Sequence, residues 1–423
     1  MNNSCHYAKI IFCGNYLALY YLMTKNMGKN RSQNWDIIII GAGASGMVAA
    51  ITAARRGKRV AVIERMDKPG KKLLATGNGR CNYTNTVMND ECYHGNQELI
   101  ASVLKRFGFQ DTLSFFHEIG IYPREKNGYY YPNSMQALSV TEALIQEMKN
   151  CNIGLFTGCT LLDIKPGKYG FTIQTSLGNF SAAHIIAATG LKASPKLGSD
   201  GSAFPILKEL GHRFSPILPA LCGFEAEGMP FKKVSGVRCD AELTLWIDGK
   251  IHKRERGELQ LADYGISGIP VFQISSPAVH ALYDKKQTEV HINFLPGLSE
   301  EEVEKELKFR LERFSEEEAL CGLLHQKLIP VCLSKAQPDL QIRKLSDSIR
   351  DFPVTLTKAR GFEYAQVCTG GIRTEEINTE TLESKLCPRL YFAGELLDVD
   401  GICGGYNLQW AWASGYVAGT AAG

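Results

Sequence analysis

The stretch "WDIIIIGAGASGMVAAITAARRGKRVAVIER", Trp35 to Arg65, leaves little freedom to the fold around it. Four consecutive isoleucines, Ile37 to Ile40, read as a strand buried on both faces, as parallel sheets require. A glycine turn and an Ala-rich run follow, predicting a helix, and "RVAVIER" predicts a second buried strand ending in acid. Strand, Gly-x-Gly-x-x-Gly, helix and strand together make a dinucleotide-binding βαβ unit, in which each glycine has its own task. Gly41 permits the tight turn, Gly43 lets the backbone approach a pyrophosphate, and Gly46 lets the helix pack against the strand. Ala44 and Ser45 open the helix, whose N-terminus is aimed at negative charge. Glu64 follows Gly46 by eighteen residues, the position from which a carboxylate bonds an adenosine ribose and disfavours a 2′-phosphate; Arg65 stands beside it.

That fingerprint serves FAD and NAD alike, and two later segments favour FAD. "SAAHIIAATG" ends a buried strand in Ala188, Thr189 and Gly190, small residues that can pass close beneath a bound dinucleotide. "PRLYFAGELLDVDGICGGYNLQWAWASGYVAG" predicts a strand, the pair Gly394 and Glu395, a loop with Gly401, Gly404 and Gly405, and then a helix opening at Tyr406 and Asn407. A second helix N-terminus thereby reaches the same sheet, where its dipole favours an anionic reduced flavin and the acid of the Gly-Glu pair can bond a ribitol. A nucleotide held by both ends of a chain is expected to be FAD. No second Gly-x-Gly-x-x-Gly is present, so a nicotinamide would bind without a Rossmann domain of its own.

With 423 residues, the chain has room for two or three domains. Lys plus Arg number 47 against 44 Asp plus Glu, a balance without the basic footprint of a nucleic-acid binder, so no nucleic-acid partner is expected. Thirteen cysteines, an odd number with no C-x-x-C pair, suit reduced thiols in a cytoplasm, and no metal site is expected. The apolar stretch Ile10 to Met23 is short and is broken by Gly14 and Asn15, so neither a membrane anchor nor a cleaved signal is expected. Residues 1–34 read as an extension outside the fold, with Met27 as an alternative start.

The dinucleotide domain is predicted over residues 35–200 and again over 355–423, split by an inserted substrate domain over 201–354. Its β part, about 215–298, contains "AELTLWIDGKIHKRER", in which Asp248 and Gly249 between alternating runs mark a hairpin. Strands there imply a barrel or small sheet. The helical part, about 299–350, opens with Ser299 and Glu302 in capping-box spacing. "SVTEALIQEMKN" (Ser139 to Asn150) reads as a packing helix. The basic run His252 to Arg256 reads as a solvated hairpin edge, with an anionic substrate tail as the sharper alternative.

Four further segments, "KKLLATGNGRCNYTN", "GELQLADYGISGIPVFQIS", "ARGFEYAQVCTGGI" and "LYFAGELLDVDGICGGYNLQWAWASG", carry a family resemblance from about Asp36 to the end. The chain resembles the bacterial FAD-binding proteins grouped as aminoacetone-oxidase-like, a family that includes reductases of 3-dehydro-bile acids. The resemblance implies an α/β fold with a two-dinucleotide-binding-type, glutathione-reductase-like FAD domain, interrupted by a barrel-like and helical insertion. It implies NAD(P)H-linked reduction of conjugated C=C bonds in 3-oxo-Δ4,6 and 3-oxo-Δ4 bile acid intermediates during 7-dehydroxylation. In such folds the segment after the second strand folds back across the flavin. That makes Lys72, Leu73, Thr76, Gly77, Asn78, Arg80 and Cys81 candidates for the cofactor site, with Leu161 a further one. Cys81 reads equally as a small packed side chain. A flavin carries hydride, and the protein must polarise a carbonyl and supply a proton, tasks that suit tyrosine. Tyr130 and Tyr131 in "NGYYYPNS", Tyr264, and above all Tyr406 are the candidates, the first two reading also as aromatic strand packing. Lys358 and Arg360 could stabilise a reduced flavin or an anionic ligand. Two other readings stand beside this one: an oxygen-dependent amine or aminoketone oxidase, and a flavin-bound RNA-modifying or sensing protein.

Overall fold

The computed structural model describes residues 34–337 and 340–423. The amino-terminal extension therefore lies outside the described residues, apart from Asn34.

The isoleucine strand Asn34–Ile40 is central in a seven-stranded sheet. Val60–Ile63 pairs parallel on one side of it and Gly178–Ala187 on the other. Gly154–Phe156 extends the parallel order beyond Val60–Ile63, and the late strand Leu390–Phe392 joins parallel to Gly178–Ala187. The long strand Gly178–Ala187 is also antiparallel to Gly170–Thr175, which pairs with Leu161–Gly167. One strand from near the C-terminus thus completes a sheet begun at the N-terminus.

Two helices cover one face of this sheet, Ala44–Arg55 and the terminal Tyr406–Ala422. They cross in close contact because the second carries glycines where side chains would collide. A Cβ at Gly415 would stand 2.4 Å from the Ser45 carbonyl oxygen, and one at Gly419 would stand 2.5 Å from that of Ala49. Trp410 and Trp412 are fully buried on the same helix, and their indole N–H groups donate to the Gly394 and Tyr83 carbonyls.

A second apolar core, drawn from residues 224–356, belongs to a closed six-stranded barrel and the helices beside it. Around the barrel the strands run Phe224–Glu227, Gly265–Gly268, Lys250–Ala262, Arg238–Ile247, Thr288–Asn293 and Phe352–Ala359. Asp248 (φ 49°) and Gly249 (φ 73°) turn the chain between Arg238–Ile247 and Lys250–Ala262, both in the left-handed region that such a two-residue hairpin demands. At the start of helix Glu300–Leu311 the Ser299 N–H donates to Glu302 (2.7 Å), and the Glu302 N–H donates to the Ser299 hydroxyl (3.2 Å). The expected α/β architecture with an inserted barrel and helices is what the chain forms. Among the described residues no helix is long and apolar enough to cross a membrane.

Candidate active site

A cavity of about 1010 Å³ runs between the parallel sheet and the barrel. Small-molecule pockets occupy roughly 300–1,000 Å³, so this one has room for a large cofactor with a substrate beside it.

At its sheet end, the three fingerprint glycines are distinguished by what surrounds them. A Cβ at Gly41 (φ 105°) would fall 2.4 Å from the Ala188 carbonyl oxygen, and one at Gly46 would fall 1.9 Å from that of Gly41. At Gly43 a Cβ would meet no protein atom within 4 Å, because the space beside it is cavity. Gly43 caps the helix without any side-chain cap, and the first turn holds no acidic residue, so the leading N–H groups are left for a ligand. Glu64 is held in place by two backbone donors, Ala42 N–H at 2.7 Å and Met66 N–H at 2.7 Å. Arg65 turns instead to Asp200 (2.8 Å) and the Gly198 carbonyl (3.3 Å).

The loop after the second strand lies along the cavity, with Lys72, Leu73, Thr76, Gly77, Asn78 and Arg80 all on the wall. Gly77, Asn78, Gly79 and Cys81 have φ values of 55°, 54°, 81° and 58°, which explains the glycine content of "TGNGRC". Lys72 reaches across the molecule to Glu395 at 2.8 Å, and the second oxygen of Glu395 accepts from the Cys368 N–H at 2.7 Å. Leu161, Thr189, Gly190, Gly404, Gly405 and Asn407 complete the cofactor candidates on the wall. The Asn407 carboxamide pins the glycine loop by bonding both the N–H (2.9 Å) and the carbonyl (2.7 Å) of Gly401. Two buried polar atoms on the lining, Asn82 Oδ1 and Ser199 Oγ, have no partner among the described residues; buried polar atoms are rarely left so unless a ligand or water meets them. The uncapped helix end, the open space at Gly43 and these two atoms fit a bound dinucleotide.

Several candidates stand off the cavity. Gly46 and Gly394 act one layer back: a Cβ on Gly394 would lie 2.4 Å from the Ser45 hydroxyl. Cys81 is fully buried, and burial pushes its thiol up to about 12, so it packs as an apolar group. Tyr406 does not face the cavity. The first turn of its helix directs the ring inward, edge-on to Tyr93 with centroids 5.9 Å apart. Tyr264 is covered by the Arg360 guanidinium at 3.9 Å, and Arg360 also lies 4.1 Å from the Tyr364 ring, so this cation is occupied by aromatic faces. Lys358 is exposed on a barrel strand. In the basic run, Arg256 pairs with Asp240 (2.7 Å), and Lys253 pairs with Glu255 (3.1 Å) and donates to the Gln273 carbonyl (3.0 Å).

Of the tyrosine triplet, Tyr131 lines the cavity, as does Tyr129, whereas Tyr130 packs against Phe109 at 5.0 Å. The strand Tyr129–Pro132 alternates, so the first and third rings share a face. That period of two was the available signal for Tyr129. No local pattern in the sequence marks the barrel side of the wall. It consists of Arg238, Glu258 and Gln260, with the Arg238 guanidinium donating to Glu258 at 3.0 Å, and of Ile269 and Phe272. Cys403 lies there too, its N–H donating to the Gln273 carboxamide oxygen (2.8 Å) while its carbonyl accepts from the Gln273 amide nitrogen (3.2 Å). Among the described residues no cluster of His, Cys, Asp and Glu could hold a metal ion.

A Rossmann sheet with a pyrophosphate-ready helix, closed by a C-terminal glycine loop and faced by a second domain, defines an FAD-dependent oxidoreductase. The chain belongs to the HI0933-like family, whose Rossmann-domain model matches residues 35–421. It is 43% identical over 400 residues to the 3-dehydro-bile acid delta(4,6)-reductase of Clostridium scindens, a match spanning 91% of this chain and 98% of that protein. It is also similar to ribosomal RNA dihydrouridine synthases. Identity is 29% with the Escherichia coli protein (91% of this chain, 97% of that one) and 30% with the Haemophilus influenzae protein (91% and 98%).

Proposed function

We propose that this protein uses NAD(P)H to reduce carbon–carbon double bonds conjugated to the ketone of 3-oxo-Δ4,6 and 3-oxo-Δ4 bile acid intermediates, an oxidoreductase acting on CH–CH groups. The observation that carries this reading is the 43% identity running over 98% of the length of the bile acid reductase. FAD, when bound and reduced, would supply hydride, to the β-carbon of a 3-oxo-Δ4 compound and to the vinylogous δ-carbon where the Δ6 bond is reduced.

The chain's residues do the rest. Gly43 and the helix behind it would receive the pyrophosphate, Glu64 would bond the adenosine ribose, and Glu395, steadied by Lys72, would bond the ribitol. Ile269 and Phe272 beside the barrel, with Leu221 and Val367 at the two-stranded sheet formed by Leu218–Ala220 and Val367–Thr369, offer apolar surface to a steroid ring system and would keep water from the reacting carbons. Burial raises both the Tyr129 and Tyr131 phenols above the ordinary tyrosine value, so each enters as a proton-bearing donor able to polarise the ketone oxygen.

A second reading has its own support in the two full-length relatives that act on ribosomal RNA. The uracil 5,6-double bond is also conjugated to a carbonyl, so hydride and proton would be delivered in the same way. Anaerobic reduction of the FAD-loaded protein with NADH or NADPH, followed by a 3-oxo-4,6-dienoic bile acid or by unmodified ribosomal RNA, separates the two. Prompt flavin reoxidation by the bile acid, with the reduced steroid recovered, supports the first reading. Reoxidation by RNA alone, with dihydrouridine formed, replaces it with the second. Turnover of an amine or aminoketone with oxygen and no nicotinamide would displace both.

A further inference from the structure

Two cysteines line the cavity. Cys159 lies at the dinucleotide end, where its N–H donates to the Glu64 carbonyl at 2.9 Å. Cys403 lies where the glycine loop meets the barrel, and its surroundings are those of a working group. The Gln273 carboxamide, from the inserted domain, holds both polar atoms of the Cys403 main chain, so the loop is fixed from across the domain boundary. Cys403 packs with Phe272 against a small apolar patch of Ala220, Leu221 and Val367, and all but Ala220 also line the cavity. On its other flank, the Tyr129 ring approaches so closely that a Cβ on Gly404 would stand 3.1 Å from it. A thiol and two phenols, Tyr129 and Tyr131, therefore converge on one end of the cavity, in a mostly apolar frame.

We propose that Cys403 is the catalytic acid of the reaction, its thiol delivering the proton to the α-carbon of the conjugated carbonyl compound. The inference rests on the enone-reduction reading of this site. Once the β-carbon has received hydride, the former π pair resides on the enolate. That pair takes the thiol proton, forming the α C–H bond and leaving a thiolate. The thiolate regains a proton from water entering by the cavity mouth. The double bond has then gained one hydride and one proton, a two-electron reduction for which a bound reduced flavin would be the donor. Burial pushes the Cys403 thiol up to about 11, so it enters the cycle protonated. An enolate carbon is far more basic than a thiolate, so the transfer runs downhill. The division of labour is chemical: the phenols suit the carbonyl oxygen, and the thiol sits in an apolar patch that suits ring carbons.

The test uses the full-length, FAD-loaded protein and a 3-oxo-Δ4 bile acid, whose one conjugated double bond takes hydride at the β-carbon and the proton at the α-carbon, with anaerobic reoxidation of the reduced flavin as the readout. Cys403→Ala is expected to lower kcat by about 10²–10⁴ while KM moves less than about threefold, the split of a group acting in the transition state. Cys403→Ser, smaller in perturbation, is expected to fall between it and wild type, which decides the matter if the alanine variant folds poorly. A second readout needs no turnover: in the apoprotein, maleimide labelling of Cys403, followed by peptide mass spectrometry, is expected to slow at least about tenfold when a saturated 3-oxo bile acid fills the cavity. Reoxidation by Cys403→Ala within about twofold of wild type overturns the assignment. So does a full loss in Tyr129→Phe with Cys403→Ser unaffected, which would move the proton to the phenol. Wild-type flavin that binds normally yet is not reoxidised by the bile acid overturns the enone reading itself, and the role of Cys403 with it.

Discussion

Glu64 shows how a single side chain can shape the site before any ligand arrives. Its two oxygens each accept a backbone N–H, which freezes the carboxylate at the edge of the cavity and leaves lone pairs for a ribose. Glu64→Gln replaces one acceptor oxygen with a donor facing an N–H. FAD affinity is expected to fall at least about tenfold, read by flavin retention on dialysis, with the barrel still folded. Gly46 is less tolerant, since a methyl there has 1.9 Å to the Gly41 carbonyl oxygen. Gly46→Ala is expected to cost about 1–3 kcal/mol in thermal unfolding and to release FAD. His212 shows another kind of constraint. It is buried between Glu376 (3.2 Å) and the Ser384 hydroxyl (2.9 Å), and burial outweighs the pull of Glu376, so the imidazole titrates below its ordinary value of about 6.5. The native state therefore binds fewer protons here than the unfolded chain does. This contribution to stability is complete above about pH 6.5 and is lost as pH falls through the lowered native value. Glu376, held low by Arg213 against the cost of burial, loses its contribution in the same direction at more acid pH. Melting temperatures measured from pH 7.5 down to 5 should fall for wild type, and the slope should flatten in His212→Gln; an equal slope in both would refute the assignment.

The crossing of the two long helices is the element on which the cofactor end depends. Ser45 lies under Gly415 and beside Gly394, so the fingerprint helix, the C-terminal helix and the Gly394 turn are wedged at one point. Gly415→Val is expected to push the helices apart, cost about 1–3 kcal/mol and lower FAD content, measured by thermal melts and flavin absorbance. The tyrosine strand and the basic hairpin teach the same lesson about elements. Alternation was legible in the sequence, and it put Tyr129 beside Tyr131; which face met the cavity was decided by pairing with Thr84–Asn85 on one side and Pro123–Lys126 on the other. In the basic run, charge was legible, but its partners Asp240 and the Gln273 carbonyl come from other elements.

Across the whole molecule, the cavity is a joint. Lys72 and Glu395 stand 323 residues apart in sequence and bond at 2.8 Å, while Gln273 of the insertion grips Cys403 of the C-terminal loop. A ligand filling this joint touches both ends of the chain and the barrel, so binding should stabilise the whole assembly. FAD at a hundredfold excess over its Kd is expected to add about 2.7 kcal/mol, seen as a melting temperature that rises with free FAD; no dependence would refute the placement of the cofactor.

The dinucleotide end was determined by sequence alone, because its parts are local: a buried strand, glycines at set intervals, a helix and an acid follow one another within thirty-one residues. The hairpin at Asp248 and Gly249 and the cap at Ser299 were equally legible, since turn and cap preferences act over a few residues. The end of the cavity where we place the reaction was decided only in the tertiary structure. Of the candidate tyrosines, Tyr406 stood closest to the glycine loop in sequence, yet its ring packs edge-on to Tyr93 and off the cavity, whereas Cys403, inside the loop, lines it. The wall opposite the flavin domain is made by a barrel whose position follows from long-range pairing and from the Gln273 clamp. Local periodicity tells which residues share a face, but which face meets which is settled by the packing of elements far apart in the chain.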